Sequence, residues 1–233
     1  FHHQFSHNKV YNDFVSHLRR GISDIDSFDR IPFLPIAFFK SHKVICQNFD
    51  EETIFMSSGT GGERSRHYIR SLELYRRSFM TAFNHYFGHP SDYRFLGLLP
   101  SYLEKQDSSL IYMVDALMQA GQFPESGFYL DEFDQLASRL KQLSACHYPT
   151  VLIGVSFALL DFAEKYPLSL GEEIIIIETG GMKGRREEIT REELHSKLCQ
   201  AFDKKVIYSE YGMTELLSQA YSKGDGRFST PPW

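Results

Sequence analysis

Apolar positions along the chain alternate between two spacings. Short runs rich in branched and aromatic residues occur at 53–56, 94–99, 150–153, 173–178 and 205–208, which is the composition of β-strands. Most are followed by stretches with helical spacing: Tyr75, Phe79, Ala82, Phe83 and Tyr86 ahead of Gly88, Leu110, Val114, Leu117 and Met118 ahead of Gly121, and then Phe133, Leu136, Leu140 and Leu143. The clearest helix start is Thr190, whose hydroxyl can cap the helix while Glu193 reaches back and Ile189 staples onto Leu194. That helix would bury Leu194, Leu198 and Phe202. The run 174–177 is apolar throughout, as expected of a strand covered by helices on both faces. The alternation predicts an α/β fold with a largely parallel sheet flanked by helices. In such sheets ligands collect beyond the carboxyl ends of the strands, so the loops leaving strands are where chemistry is sought. No repeat, low-complexity stretch or linker divides residues 1–233, which read as one unit.

Composition narrows the function. The chain has 233 residues, of which 42% are hydrophobic and 24% charged, an ordinary balance for a globular protein with a sizeable core. A formal net charge of −5 offers no basic field for a phosphate backbone, so no nucleic-acid partner is expected. Cys46, Cys146 and Cys199 are scattered and form no C-x-x-C pair, which speaks against a disulfide framework or structural zinc and for a reducing cytoplasm. The longest apolar run, 151–160, falls far short of the roughly 20 residues of a membrane span. Phe1 to His7 lack the cationic start and apolar region of a signal peptide.

Four strand-end loops carry unusual residues; one of them, Leu98-Leu99-Pro100-Ser101-Tyr102, follows a buried strand and is the candidate for the acyl side, with an ordinary proline turn as the alternative, and the other three are taken in turn. The first is Ser57-Ser58-Gly59-Thr60-Gly61-Gly62, followed by Arg64 and Arg66. Its small residues let successive amides close around an anion, and its hydroxyls and arginines add donors, which makes it a phosphate-loop candidate. It has no closing Lys-Ser/Thr, and the same composition also suits a surface turn. The second is Glu210-Tyr211-Gly212-Met213-Thr214-Glu215. Here an aromatic ring beside a glycine can face a planar base, Thr214 can donate to a phosphate, and Glu215 is an oxygen ligand suited to Mg²⁺. The alternatives are core packing for Tyr211 and a helix-start charge for Glu215. The third is Thr179-Gly180-Gly181-Met182-Lys183-Gly184-Arg185-Arg186, where paired glycines bare the backbone to a flat ligand and Lys183 adds positive charge nearby. A turn with solvated basic residues is the plain alternative.

Taken together, SSGTGGERSRHY, LPSYLEKQDSSLIYM, ETGGMKGRR and YSEYGMTELLSQAY resemble the acyl-protein synthetase (LuxE) family, within the adenylate-forming superfamily of acyl-CoA synthetases and luciferases. Phenylacetate-CoA ligases are more distant relatives in the same resemblance. It implies the fold of the large N-terminal domain of those enzymes and an acid-thiol ligase activity. ATP and Mg²⁺ would be the cofactors, and acyl-AMP would form from a fatty or other carboxylic acid. It further implies a thiol acceptor protein or an acyl-reductase partner. By the same resemblance Ser57, Ser58, Gly59, Thr60, Gly61 and Gly62 would hold the β and γ phosphates, Gly180 and Gly181 would lie along the adenine, and Tyr211 and Gly212 would enclose it. Thr214 and Glu215 would meet phosphate and Mg²⁺. Thr60, Glu215 and Arg66 are the catalytic candidates, with Arg64 or Arg66 standing in for the superfamily's lysine. Ser101 and Tyr102, in the loop after the strand at 94–99, are with Lys183 the candidates for the acyl side. Family members continue into a small C-terminal domain bearing the catalytic lysine, which the resemblance places outside residues 1–233.

Two rival functions compete. Gly154-Val155-Ser156-Phe157-Ala158 approximates a nucleophile elbow, which would make Ser156 the nucleophile of a hydrolase or acyltransferase. Against it, the last glycine is alanine, no histidine is marked as a partner, His195 reads as a surface residue, and Ser156 reads as a helix N-cap. The second rival is a binding module that has kept an acyl or nucleotide pocket without turnover.

Overall fold

The computed structural model describes residues 1–18, 21, 23, 25–58, 62–100, 107–182 and 184–232. Two short helices, α1 (His2–His7) and α2 (Lys9–His17), a 3-10 turn at Phe28–Arg30 and α3 (Phe38–Ser41) precede an antiparallel hairpin of β1 (Thr53–Met56) and β2 (Arg66–Ile69). The rest is built on a six-stranded sheet. Its strands are β3 (Arg94–Leu98), β4 (Gly127–Tyr129), β5 (Thr150–Val155), β6 (Ile174–Thr179), β7 (Tyr208–Tyr211) and β8 (Ala220–Ser222), in the spatial order β4-β3-β5-β6-β7-β8. All neighbours run parallel except β7 and β8. The predicted α/β fold with a largely parallel sheet is what the chain adopts.

Helices cover both faces. On one lie α4 (Leu72–Phe87) and α5 (Ser109–Gly121), joined by stacked Tyr75 and Tyr112 rings 5.9 Å apart. On the other lie α6 (Phe133–Ala145), α7 (Ser156–Lys165) and α8 (Arg191–Phe202), where Phe162 contacts both Phe133 and Phe202. The two central strands, β5 and β6, are almost wholly buried, as their unbroken apolar runs require. Among the described residues no helix is long and apolar enough to cross a membrane.

Several local expectations shift. The strand expected at 205–208 forms at Tyr208–Tyr211, so Glu210 and Tyr211 belong to the strand rather than to the loop after it. The helix expected to stop at Gly121 includes it, and Gln122 caps the end in the left-handed conformation at φ 54°. Thr190 caps α8 by accepting from Glu193 N at 3.2 Å, but the Glu193 carboxylate pairs with Lys197 at 2.8 Å. Ser156 is the first residue of α7 and not its cap, since Val155 holds the cap position.

Candidate active site

The predicted phosphate loop connects β1 to β2, and its neck is tied on all sides. Ser57 N donates to Ser65 O at 3.1 Å, and Ser65 N donates to the Ser57 hydroxyl at 2.9 Å. Arg64 donates from Nε to Ser57 O at 2.5 Å and from Nη2 to Met56 O at 3.3 Å, and it pairs with Asp107 at 2.9 Å. Arg64 therefore holds the loop onto the start of α5. Arg66 stands opposite Met56 in the hairpin, exposed, and outside the lining of the cleft described next. Gly59, Thr60, Gly61, Ser101, Tyr102 and Lys183 lie outside the described residues.

A cleft of about 260 Å³ opens beside this loop, beyond the carboxyl ends of β6 and β7. Ser57 and Ser58 come to it from the hairpin, Ser108 and Ser109 from the start of α5, Gly180 from the end of β6, and Gly212, Thr214 and Glu215 from the β7–β8 connection. Segments as far apart in sequence as Ser57 and Glu215 thus converge on one space. Gly62, Gly181 and Tyr211 do not line it. The Tyr211 ring, 48% exposed, lies beside Phe228 instead. No helix follows Glu215, because the chain turns directly into β8, so the helix-start alternative for this carboxylate does not apply.

His67 on β2 fixes the acidic end of the cleft. Its Nδ1–H donates to the Thr214 carbonyl at 2.8 Å. Burial pushes its pKa below the ordinary histidine value, against the opposing pull of that hydrogen bond and of Glu215. Burial thus favours the neutral imidazole, whose Nδ1–H can still make this contact. Among the described residues, no three His, Cys, Asp or Glu gather into a protein-built metal cage. Glu215 and the hydroxyls of Thr214, Ser57 and Ser58 are instead the oxygen donors that could hold a Mg²⁺ arriving with a polyphosphate, since Mg²⁺ commonly takes one or two carboxylates and completes its shell with phosphate oxygens and water.

Behind the cleft, on the α8 face, a buried polar cluster corrects two expectations. The Ser156 hydroxyl, on a residue only 1% exposed, donates to Glu178 Oε2 at 2.8 Å. His195 is buried, 3.1 Å from the Ser209 hydroxyl and 3.6 Å from Glu178. Burial alone would raise the Glu178 carboxyl. Hydrogen bonds from His195, Ser209 and Ser156, with the charge of Arg191, outweigh that and hold it below the ordinary value. Ser156 is thus bonded to a carboxylate rather than to a histidine, and the hydrolase elbow lacks its base. Ser109, His67 and Gln219 were not singled out from the sequence, and Tyr75 was read only as part of an apolar helix stripe. Each belongs to an apolar or motif-flanking stretch where only the fold reveals that Tyr75, Ser109 and Gln219 line the cleft and that His67 braces the Thr214 carbonyl beside it.

Solved structures share this fold. An ATP-bound MatB from Rhodopseudomonas palustris superposes with a TM-score of 0.54 and 18% identity, over 80% of this chain and 34% of that one. A 2-hydroxyisobutyryl-CoA ligase in complex with 2-HIB-AMP and CoA gives 0.66 and 12%, over 96% and 49%. The same ligase in an open conformation gives 0.61 and 11%, over 96% and 54%. The fold is that of the N-terminal domain of adenylate-forming enzymes. The chain spans about a third to a half of the length of these neighbours. No family model and no curated protein matches the sequence.

Proposed function

We propose that the chain binds ATP and a carboxylic acid and activates the acid as its acyl-AMP. The carboxylate oxygen would bond to the α-phosphorus and pyrophosphate would leave; a thiol would then attack the acyl carbon and release AMP. The observation that carries this reading is the convergence of Ser57, Ser58, Gly180, Gly212, Thr214 and Glu215 on one cleft. Such a reaction needs no side-chain nucleophile. It needs two anions held in line and the developing charge neutralised. Ser57, Ser58 and Thr214 would donate to phosphate oxygens. Gly180 and Gly212 would leave backbone bare against the nucleotide, and Glu215 would hold Mg²⁺, which neutralises polyphosphate charge when bound.

The sequence resemblance extends the proposal to an acyl-protein synthetase acting in the cytoplasm. In that extension a fatty acid is the substrate and a protein thiol the acceptor, with an acyl reductase as partner. The test is acid-dependent release of pyrophosphate by the full-length protein. Glu215→Ala is expected to lower that rate by roughly a hundredfold or more, the scale for removing one transition-state charge partner. Unchanged kinetics would remove Glu215 from metal binding. Tight ATP binding with no pyrophosphate release from any acid would favour the non-catalytic module instead.

A further inference from the structure

The inner end of the cleft is polar in a way that phosphate and metal binding do not use. Gln219, in the loop entering β8, is 4% exposed and lines the cleft. Its Nε2 donates to the Tyr75 hydroxyl at 3.3 Å, and its Oε1 is buried without a hydrogen-bond partner. Buried acceptors are almost always satisfied, so an orphan on a residue that lines a cavity marks a place where a donor is wanted. Glu210 lies next to it, with Oε2 accepting from the Thr179 hydroxyl at 2.5 Å. Gly212 keeps this corner open: a Cβ there would sit 2.5 Å from Glu210 Oε1 and 3.8 Å from Gln219 Cγ. Burial raises Glu210 to about 7, so near neutral pH a large fraction carries a proton and can donate as well as accept.

Strand alternation separates this corner from the ring of Tyr211. Successive side chains of a strand point to opposite faces. On β7, Ser209 turns to the α8 side with His195, whereas Glu210 turns to the α4 side, where its charge would act on Tyr75 and Tyr221. Tyr211 returns to the Ser209 side and stays outside the cleft. The corner therefore lies across the strand from Tyr211, the ring suited to a planar base, and is left for the acid. Tyr75, Leu110 and Met113 are among the apolar residues that line the same cleft.

We propose that Gln219 and Glu210 are specificity-determining residues, selecting acids that carry a hydrogen-bond donor, a hydroxyl or an N–H, over unsubstituted alkyl acids of the same length. The proposal rests on the adenylation reading and narrows its substrate class to hydroxyl- or N–H-bearing acids, in place of the plain fatty acid that the sequence resemblance suggests. A site built to bond a polar group rejects the analogue that lacks it, because its own buried group is then left unpaired.

The experiment compares kcat/KM for pyrophosphate release by the full-length protein with matched pairs of acids, alkyl against hydroxy- or amide-substituted, the substituent being moved along the chain. The wild type is expected to favour one donor-bearing position by on the order of tenfold to a hundredfold, and Gln219→Met to bring that ratio toward one. Equal turnover of every pair by the wild type would overturn the proposal and leave adenylation standing; it would mean that an ordered water satisfies Gln219. A preference that persists in Gln219→Met overturns it too. Should that variant fail to fold, the wild-type ratios alone decide. No release with any acid would remove the adenylation reading and this proposal together.

Discussion

Glu210 holds a carboxyl where burial dominates its chemistry, pushed up to about 7 from an ordinary 4.5, with the nearby Glu178 charge adding to the rise. Between those two pH values the folded chain binds a proton that the unfolded chain has already released. The stabilising contribution is therefore fully present below about pH 4.5, declines as the pH rises, and is lost above about 7, a swing of about 3 kcal/mol. Glu210→Gln keeps the volume and the Thr179 contact and removes the titration. Its melting temperature is expected to exceed that of the wild type at pH 8 and to fall less between pH 5 and 8; parallel curves would refute a buried, raised carboxyl. His67 works in the opposite sense. Its lowered pKa gives stability that is present above about 6.5 and lost as the pH falls. Both proteins share it, so the difference between their curves isolates Glu210. The sequence offered little warning of such residues. His195 sits among glutamates and looks solvated, yet its spacing to Leu198 and Phe202 is three and seven residues, which puts it on the buried stripe of the helix. That spacing was the available signal, and local charge masked it.

Among the secondary-structure elements, those legible in the sequence were the ones whose burial is apolar. β5 and β6 are unbroken hydrophobic runs, and α4 to α6 and α8 show clean stripes. β7 is Tyr-Ser-Glu-Tyr, with Ser209 and Glu210 buried through polar partners, so hydropathy pointed to the neighbouring Val206 and Ile207 instead. β4 and β8 have three residues each, too few for any periodicity to register. The capping signature at Thr190 was half right, and the two halves separate by mutation. Thr190→Ala removes the acceptor for Glu193 N and should cost about 1 kcal/mol in denaturant unfolding. Glu193→Ala breaks only an exposed i,i+4 pair with Lys197 and should cost a few tenths. Equal losses would mean that the reciprocal half of the capping box forms after all.

For the whole molecule, one wall of the cleft is supplied by the hairpin, which is held against the rest of the fold. Motif order placed the phosphate-loop, diglycine and β7–β8 residues on strand-end loops, but the sequence could not show what joins them. Arg64 bridges the loop neck to Asp107 ahead of α5, and His67 ties β2 to the Thr214 carbonyl. A ligand contacting both sides of the cleft should therefore stabilise the fold as a unit. A non-hydrolysable acyl-adenylate analogue at about 100 times its dissociation constant adds about 2.7 kcal/mol, which for a chain of this length raises the melting temperature by roughly 5–10 °C. Arg64→Ala should shrink that rise, because the Arg64–Asp107 pair is partly exposed and contributes more to placing the loop than to the stability of the free protein. An undiminished rise in Arg64→Ala would mean that the hairpin is positioned by its other ties, the Met56 N–Asp107 O hydrogen bond, the packing of Phe55 on Tyr75 and Tyr112, and His67. No rise in the wild type with short, aromatic or long acyl groups would mean that the two sides of the cleft do not share a ligand, and the convergence on which the adenylation reading stands would be a feature of packing.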